Sequence, residues 1–222
     1  MLSNGVSSNL NLNSKVIQGY TGRLKQPIMG APPGFIPVRL PIDLANVLAF
    51  AQRELDPAFR ELRAWQANNG MSNPTYLLYD PTRAAATMYI LRKKPPGTLL
   101  KSAHDIEREY RVMRALQEGG IAVPVPKIYH YCRDTSIVGT EFYVMEYVRG
   151  RVFDDDTLPG WSAAERAALY ADIVRILAAL HAADFRSLGL ERHGKIGNYA
   201  KRQLRCDWIL RLFIMVHEKR YI

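Results

Sequence analysis

Glu109 lies three residues after Ile106 and four before Met113. In a helix those spacings share a face. A helix that turns Ile106, Tyr110, Met113 and Leu116 inward therefore turns a carboxylate inward too. A carboxylate in apolar surroundings is costly unless a cation meets it, so whatever packs on this helix must bring a basic side chain. The strand-like run from Ala86 to Arg92 ends in the basic cluster Arg92, Lys93 and Lys94. Strand side chains alternate between faces, so one register offers Arg92 to Glu109 and a slip of one residue offers Lys93. Arg92 is the first choice and Lys93 the competitor; the bland alternative is a purely structural ion pair.

The rest of the chain supplies elements around this pair. Residues 1–40 are rich in Ser, Asn, Gly and Pro, with Pro27, Pro32, Pro33 and Pro37 close together, and predict a disordered or extended arm. Asp43 is placed to cap a helix whose apolar face is Leu44, Val47, Leu48, Ala51 and Leu55. Three strand-like runs follow, Phe59 to Gln66, Pro74 to Tyr79 and Ala86 to Arg92, separated by Asn68-Asn69-Gly70 and Asp80-Pro81. They predict an antiparallel meander. The Glu109 helix is expected to begin near Ser102 and to stop at Gly119-Gly120.

Two further strands are expected from Lys127 to Cys132 and from Phe142 to Tyr147. A linker with Gly150, Asp154 to Asp156 and Pro159-Gly160 leads to the longest helix. That helix is announced by the capping box Ser162 to Glu165, with the stripe Leu169, Ile173, Ile176, Leu177 and Leu180. The expectation is an α+β chain: an arm (1–40), a five-stranded antiparallel lobe with its helix (41–148), a linker and the start of a helical lobe (149–204), and an atypical tail (205–222).

A net charge of +9 suits nucleic acid until it is mapped. Residues 1–42 and 201–222 carry +4 each, which leaves +1 for residues 43–200. The excess is expected on the ends rather than on a binding face, so no nucleic-acid partner is expected. Cys132 and Cys206 form no CxxC pair, which argues against a zinc site or a disulfide framework and for a reducing compartment. That favours the cytoplasm, with mitochondrial import as the alternative offered by the acid-free, Ser/Asn-rich start. No stretch approaches the length of a membrane span.

Other segments carry weaker chemical signals. Gly70-Met71-Ser72-Asn73 joins the first two predicted strands, where backbone N–H groups can meet phosphate oxygens, or where the chain simply turns. Glu146-Tyr147-Val148 ends the fifth strand, either as a connector presenting main-chain groups to an adenine edge or as an ordinary linker. His193-Gly194-Lys195 with Asn198 superficially resembles a phosphoryl-transfer loop, but Lys195 cannot accept a hydroxyl proton. His181 reads as a packing residue, and Asp154 to Asp156 as a solvated run. No catalytic residue and no metal ligand is assigned.

Five segments in order, Gly70–Tyr76, Tyr89–Gly97, Arg108–Val112, Val123–Lys127 and Phe142–Gly150, resemble the aminoglycoside phosphotransferase / choline kinase-like family. They are most similar to the phosphotransferase-like domain fused to some acyl-CoA dehydrogenase family members, and the resemblance covers about residues 43–204. It implies a protein-kinase-like fold in which residues 70–73 cover the phosphates of ATP. By it, Arg92 takes the place of the phosphate-binding lysine, Glu109 is its helix partner, and residues 146–148 form the hinge that holds adenine. It also implies magnesium and transfer of a phosphoryl group to a small-molecule hydroxyl. The family's His-Gly-Asp loop and later metal-binding Asp are not met before Ile222, and Cys206 to Ile222 depart from its pattern. The expectation is a catalytically incomplete, C-terminally truncated phosphotransferase whose exposed long helix favours self-association. The alternative is a non-catalytic nucleotide-binding or protein-interaction module.

Overall fold

The computed structural model describes residues 30–68, 72–83, 88–97, 105–150, 153, 155–194, 196–198, 200–201 and 203–205. The described residues up to Ala182 form one compact unit and those from Ala183 a second. The first unit is a mixed sheet-and-helix assembly built on one antiparallel sheet. Its strands are β1 (Phe35–Ile36), β2 (Arg63–Ala67), β3 (Thr75–Tyr79), β4 (Tyr89–Lys93), β5 (Ile128–Cys132) and β6 (Phe142–Glu146), in the order β1-β2-β3-β4-β6-β5. Among the described residues its helices are α1 (Leu44–Glu54), α2 (Ile106–Glu118) and α3 (Ala163–Ala182).

Among the described residues the sheet has six strands rather than the expected five. The addition is β1, which lies inside the predicted arm and pairs Phe35 with Ala67 and Ile36 with Gln66. Two residues carry no readable alternation, so the strand is visible only through its partners. The Gln66 Oε1 accepts from Arg39 N (2.8 Å) and Leu40 N (2.9 Å), and the Tyr76 hydroxyl donates to Leu40 O (2.8 Å). These bonds fasten the segment after β1 to the sheet. The first long strand also begins later than expected: Phe59 and Leu62 are buried in the approach to β2, a role their apolar character cannot distinguish from a strand position.

Alternation along β4 divides the core. Tyr89 and Leu91 join Val47, Phe50 and Ala51 of α1, Tyr76, Leu78, Phe142 and Val144 on one face. Met88 and Ile90 join Leu77 and Tyr79 on the other. α1 is capped as expected, with Asp43 Oδ1 accepting from Ala45 N (2.9 Å) and Asn46 N (3.0 Å). α2 buries Ile106 and Leu116. Its Ile106 forms a third cluster with Ile128 and Tyr143, against which Tyr110 and Met113 pack. Within the described residues α2 starts at its N-cap Asp105; Ser102 lies outside them. It ends at Gly119, and Gly120 follows with φ +62°, a left-handed conformation that glycine adopts without strain.

α3 begins with the reciprocal capping box: Ser162 N donates to Glu165 Oε2 (2.8 Å) and Glu165 N donates to Ser162 Oγ (3.2 Å). None of its residues is buried, and Ile173, Val174, Leu177 and Leu180 are exposed. The second unit, taken alone, turns tightly, with Leu190 N bonded to Phe185 O and His193 N to Leu190 O.

Candidate functional site

Strand pairing places Arg92 of β4 directly opposite Thr75 of β3 and Tyr143 of β6. Directly opposite residues share a face, so three polar side chains form one rung across the sheet. Glu109 descends on that rung from α2. Arg92 Nε donates to Glu109 Oε2 (2.7 Å) and Arg92 Nη2 to Oε1 (3.2 Å), a bidentate pair. Arg92 Nη1 donates to Thr75 Oγ1 (3.1 Å). The Tyr143 hydroxyl donates to Glu109 Oε2 (3.0 Å), and Asn73 Nδ2 to Glu109 Oε1 (3.0 Å).

These bonds orient a cation without saturating it. A guanidinium has five N–H donors, and the three bonds named leave one on each terminal nitrogen. The Arg92 side chain is 26% exposed and that of Glu109 38%, so the pair opens to solvent on one side. Burial first, and then the Glu109 carboxylate, push the Tyr143 phenol far above its ordinary range. It therefore stays an O–H donor. Asn73 is buried, and its Oδ1 has no partner among the described residues, an arrangement that costs about 1–3 kcal/mol.

Lys93, the competitor for this place, is on the opposite face. It is buried, and its Nζ donates to Val138 O. Strand alternation decides this: if Arg92 faces α2, Lys93 cannot. Lys94 pairs with Glu141 instead. Of the loop candidates, Gly70 and Met71 lie outside the described residues, Ser72 is exposed, and Asn73 joins the Glu109 cluster.

Residues 64–208 match the family described as "Phosphotransferase enzyme family". The chain belongs to that family. Acyl-CoA dehydrogenase family member 11 of Rattus norvegicus is 52% identical over 167 residues, covering 73% of this chain and 20% of that protein. Acyl-CoA dehydrogenase family member 10 of Mus musculus is 45% identical over 139 residues, covering 63% of this chain and 12% of that protein. The chain thus spans a fifth or less of these relatives' length. A crystal structure from Ralstonia eutropha, described as that of a proposed aminoglycoside phosphotransferase, superposes with a TM-score of 0.62 at 41% identity. It covers 74% of this chain and 46% of that one. The fold is therefore the phosphotransferase, kinase-like one.

On the Arg92 face of this member of the phosphotransferase family an apolar surface continues along β4. Ile90 precedes Arg92 by two residues, about 7 Å along the strand. It packs with Leu77, Tyr79 and Met88, flanked by Phe35, Trp65, Met145 and Tyr147. The Trp65 Nε1 is buried without an acceptor among the described residues. The predicted connector borders this surface. Glu146 N donates to Lys127 O (2.8 Å), and Glu146 Oε2 accepts from Lys127 N (3.1 Å). Tyr147 N donates to Met88 O (3.3 Å). Val148 is 59% exposed, and among the described residues its N–H has no backbone partner.

Elsewhere the chain offers less. His193 and Gly194 lie in the second unit, and Lys195 outside the described residues. Asp155 accepts from Thr157 N (2.8 Å) and Thr157 Oγ1 (2.6 Å), a local turn; Asp154 lies outside the described residues. Thr75 and Tyr143 were missed from the sequence. The signal that finds them is register, since each sits opposite Arg92, and a single strand does not reveal its partner's register.

Proposed function

We propose that this chain is the nucleotide-binding part of an ATP-dependent small-molecule phosphotransferase. The observation that carries the reading is the partly open Arg92–Glu109 pair at one end of a face whose other end is apolar. Arg92, with two uncommitted N–H groups, would hold phosphate oxygens. Glu109, fixed by Asn73 and Tyr143, would hold Arg92. Ser72 and Asn73, with Gly70 and Met71 before them, would form the loop over the phosphates. Leu77, Ile90 and Met145 would take the base, and the connector Glu146–Val148 would meet its edge, the Val148 N–H serving as a donor.

The chemistry of these residues fits ATP. Magnesium is proposed only as a companion of the nucleotide phosphates. Among the described residues no group of three or more acid, histidine or cysteine side chains gathers to hold an ion, so no step is assigned to it. Phosphoryl transfer needs a group that takes the hydroxyl proton. His193-Gly194-Lys195 is not taken as that loop, because Lys195 cannot take a proton, and no other residue of 1–222 is assigned the part. Residues 1–222 are therefore proposed to bind ATP yet to transfer phosphate weakly or not at all. Calorimetry of ATP on the purified chain tests the first half. Robust magnesium-dependent phosphorylation of a small-molecule alcohol by this chain would refute the second.

The exposed apolar residues of α3 favour a second reading, an interaction module that self-associates through that helix. In either case the buried free thiol of Cys132 suits a reducing compartment, cytoplasmic or mitochondrial. Among the described residues no helix is long and apolar enough to cross a membrane.

A further inference from the structure

Strand order sets β1 four places away from β6. At about 4.8 Å per strand a flat sheet would hold their backbones ~19 Å apart. Yet the ring of Phe35 in β1 meets the ring of Tyr147, one residue past β6, edge to face with centroids 5.9 Å apart. The two residues also lie at different rungs, since Phe35 pairs with Ala67 while Tyr147 bonds beside Met88. The sheet must therefore curl, and the rings close diagonally over its inner face. Phe35 and Tyr147 both pack on the cluster of Leu77, Tyr79, Met88 and Ile90.

We infer that Phe35 is a built-in occupant of the base site, a plug that a nucleotide base must displace; this rests on the nucleotide reading above. The ring covers the apolar surface on which a base would lie. It is aimed there by a stiff turn. Phe35 N donates to Pro32 O (3.0 Å), and Gly34, after Pro33, has φ +82°. This is the signature of a type II turn, with proline first and glycine second. The plug is also releasable. β1 has two residues and lies at the sheet edge, where local opening is least costly. The Trp65 indole N–H, on the same cluster, is buried without an acceptor among the described residues. β1 lies outside residues 64–208, the stretch matched to the family.

Adenosine, which has a base and no phosphates, is the probe, titrated by calorimetry into the 222-residue chain. Removing an aromatic ring from a binding site ordinarily weakens binding. Here Phe35→Ala is expected to tighten adenosine about fivefold, because a half-buried ring no longer competes. Gly34→Val, which the left-handed backbone disfavours, is expected to shift affinity the same way. Hydrogen exchange on the unaltered chain needs no variant to fold: the segment 31–40 is expected to exchange faster at saturating adenosine. If adenosine binds and Phe35→Ala weakens it or leaves it unchanged, or if 31–40 becomes more protected, the plug is wrong and the nucleotide reading survives. If neither ATP nor adenosine binds, both are wrong.

Discussion

Arg92 and Lys93 are neighbours with the same charge, and the structure gives them opposite fates, which makes a paired substitution the sharpest test of the site. Arg92→Met removes a guanidinium with two uncommitted N–H groups. Charge-assisted hydrogen bonds contribute about 1.5–3 kcal/mol each, and the partial exposure of Arg92 favours the low end of that range. The loss in ATP binding for two such bonds is then about 3 kcal/mol, or about 150-fold in Kd. Adenosine makes no phosphate contact, so its affinity is expected to stay within about twofold on the same bond-energy argument. The fold is expected to tolerate the change. Glu109 keeps Asn73 and Tyr143 as donors, and a pair this exposed contributes about 1 kcal/mol or less. Lys93→Met changes the other face. Burial pushes the Lys93 amine below its ordinary range, so the charged form is disfavoured there, and an apolar chain of similar length is tolerated to within about 1 kcal/mol. ATP affinity is expected to be unchanged. Calorimetry with ATP and with adenosine, and urea melts for both variants, give every quantity needed. Equal losses of ATP binding in the two variants, or an undiminished affinity in Arg92→Met, would refute the strand-register reasoning.

Tyr143→Phe deletes one donor to Glu109 without opening a cavity and is expected to cost about 1 kcal/mol of stability. It should also weaken ATP severalfold while sparing adenosine, read by the same calorimetry. Asp80 is buried and accepts from Arg60 N (2.8 Å), Thr82 N (2.8 Å) and Thr82 Oγ1 (2.6 Å). Burial opposes its ionisation, but these hydrogen bonds prevail and lower its pKa; Arg83 does the same for Asp56, and Lys94 for Glu141. Carboxylates with lowered folded pKa values stabilise fully above their unfolded values, near 4, and lose that contribution as pH falls through the folded ones. The thermal midpoint is therefore expected to be flat near neutrality and to drop below about pH 4, with a smaller acid drop in Asp80→Asn. Finally, the unaltered chain is expected to sediment as more than a monomer, and Ile173→Glu with Leu177→Glu to restore a monomer; equal sedimentation of the two would remove the self-association reading.

The Glu109 argument shows what a single sequence carries and where it stops. Helical spacing shows that this acid shares a face with Ile106 and Met113, and the cost of an unpaired buried charge calls for a cation. Both are local statements, and the pair forms as they require. The choice between Arg92 and Lys93 is not local, because it depends on which face of β4 looks toward α2. That is settled by the pairing of β4 with β3 and β6. The same dependence hid Thr75 and Tyr143. The helix starts at Asp43 and Ser162 were legible because their capping bonds close within a few residues. β1 was not, since its two residues are defined by Ala67 and Gln66 some thirty positions later.

The two ends of the candidate site differ in how they are held, and that difference decides which end can be regulated. At the Arg92 end, Glu109 accepts four hydrogen bonds from Arg92, Asn73 and Tyr143, drawn from α2, two strands and the loop before β3. α2 cannot move without breaking all four, nor β4 without breaking two, so this end is preorganised for anions. At the Tyr147 end, the cover is a ring on a two-residue edge strand; the strand pairs with β2 and its following segment bonds to Gln66 and Tyr76, but the ring itself is held by apolar contact alone. Apolar contact is non-directional and can be exchanged for another flat ring at little net cost, whereas the polar cluster has no such substitute. A change in occupancy is therefore expected to appear first in the segment around Phe35, with the Arg92–Glu109 geometry unchanged. Exchange protection that moved at α2 while 31–40 stayed fixed would place the adaptable end at the phosphates and reverse this order.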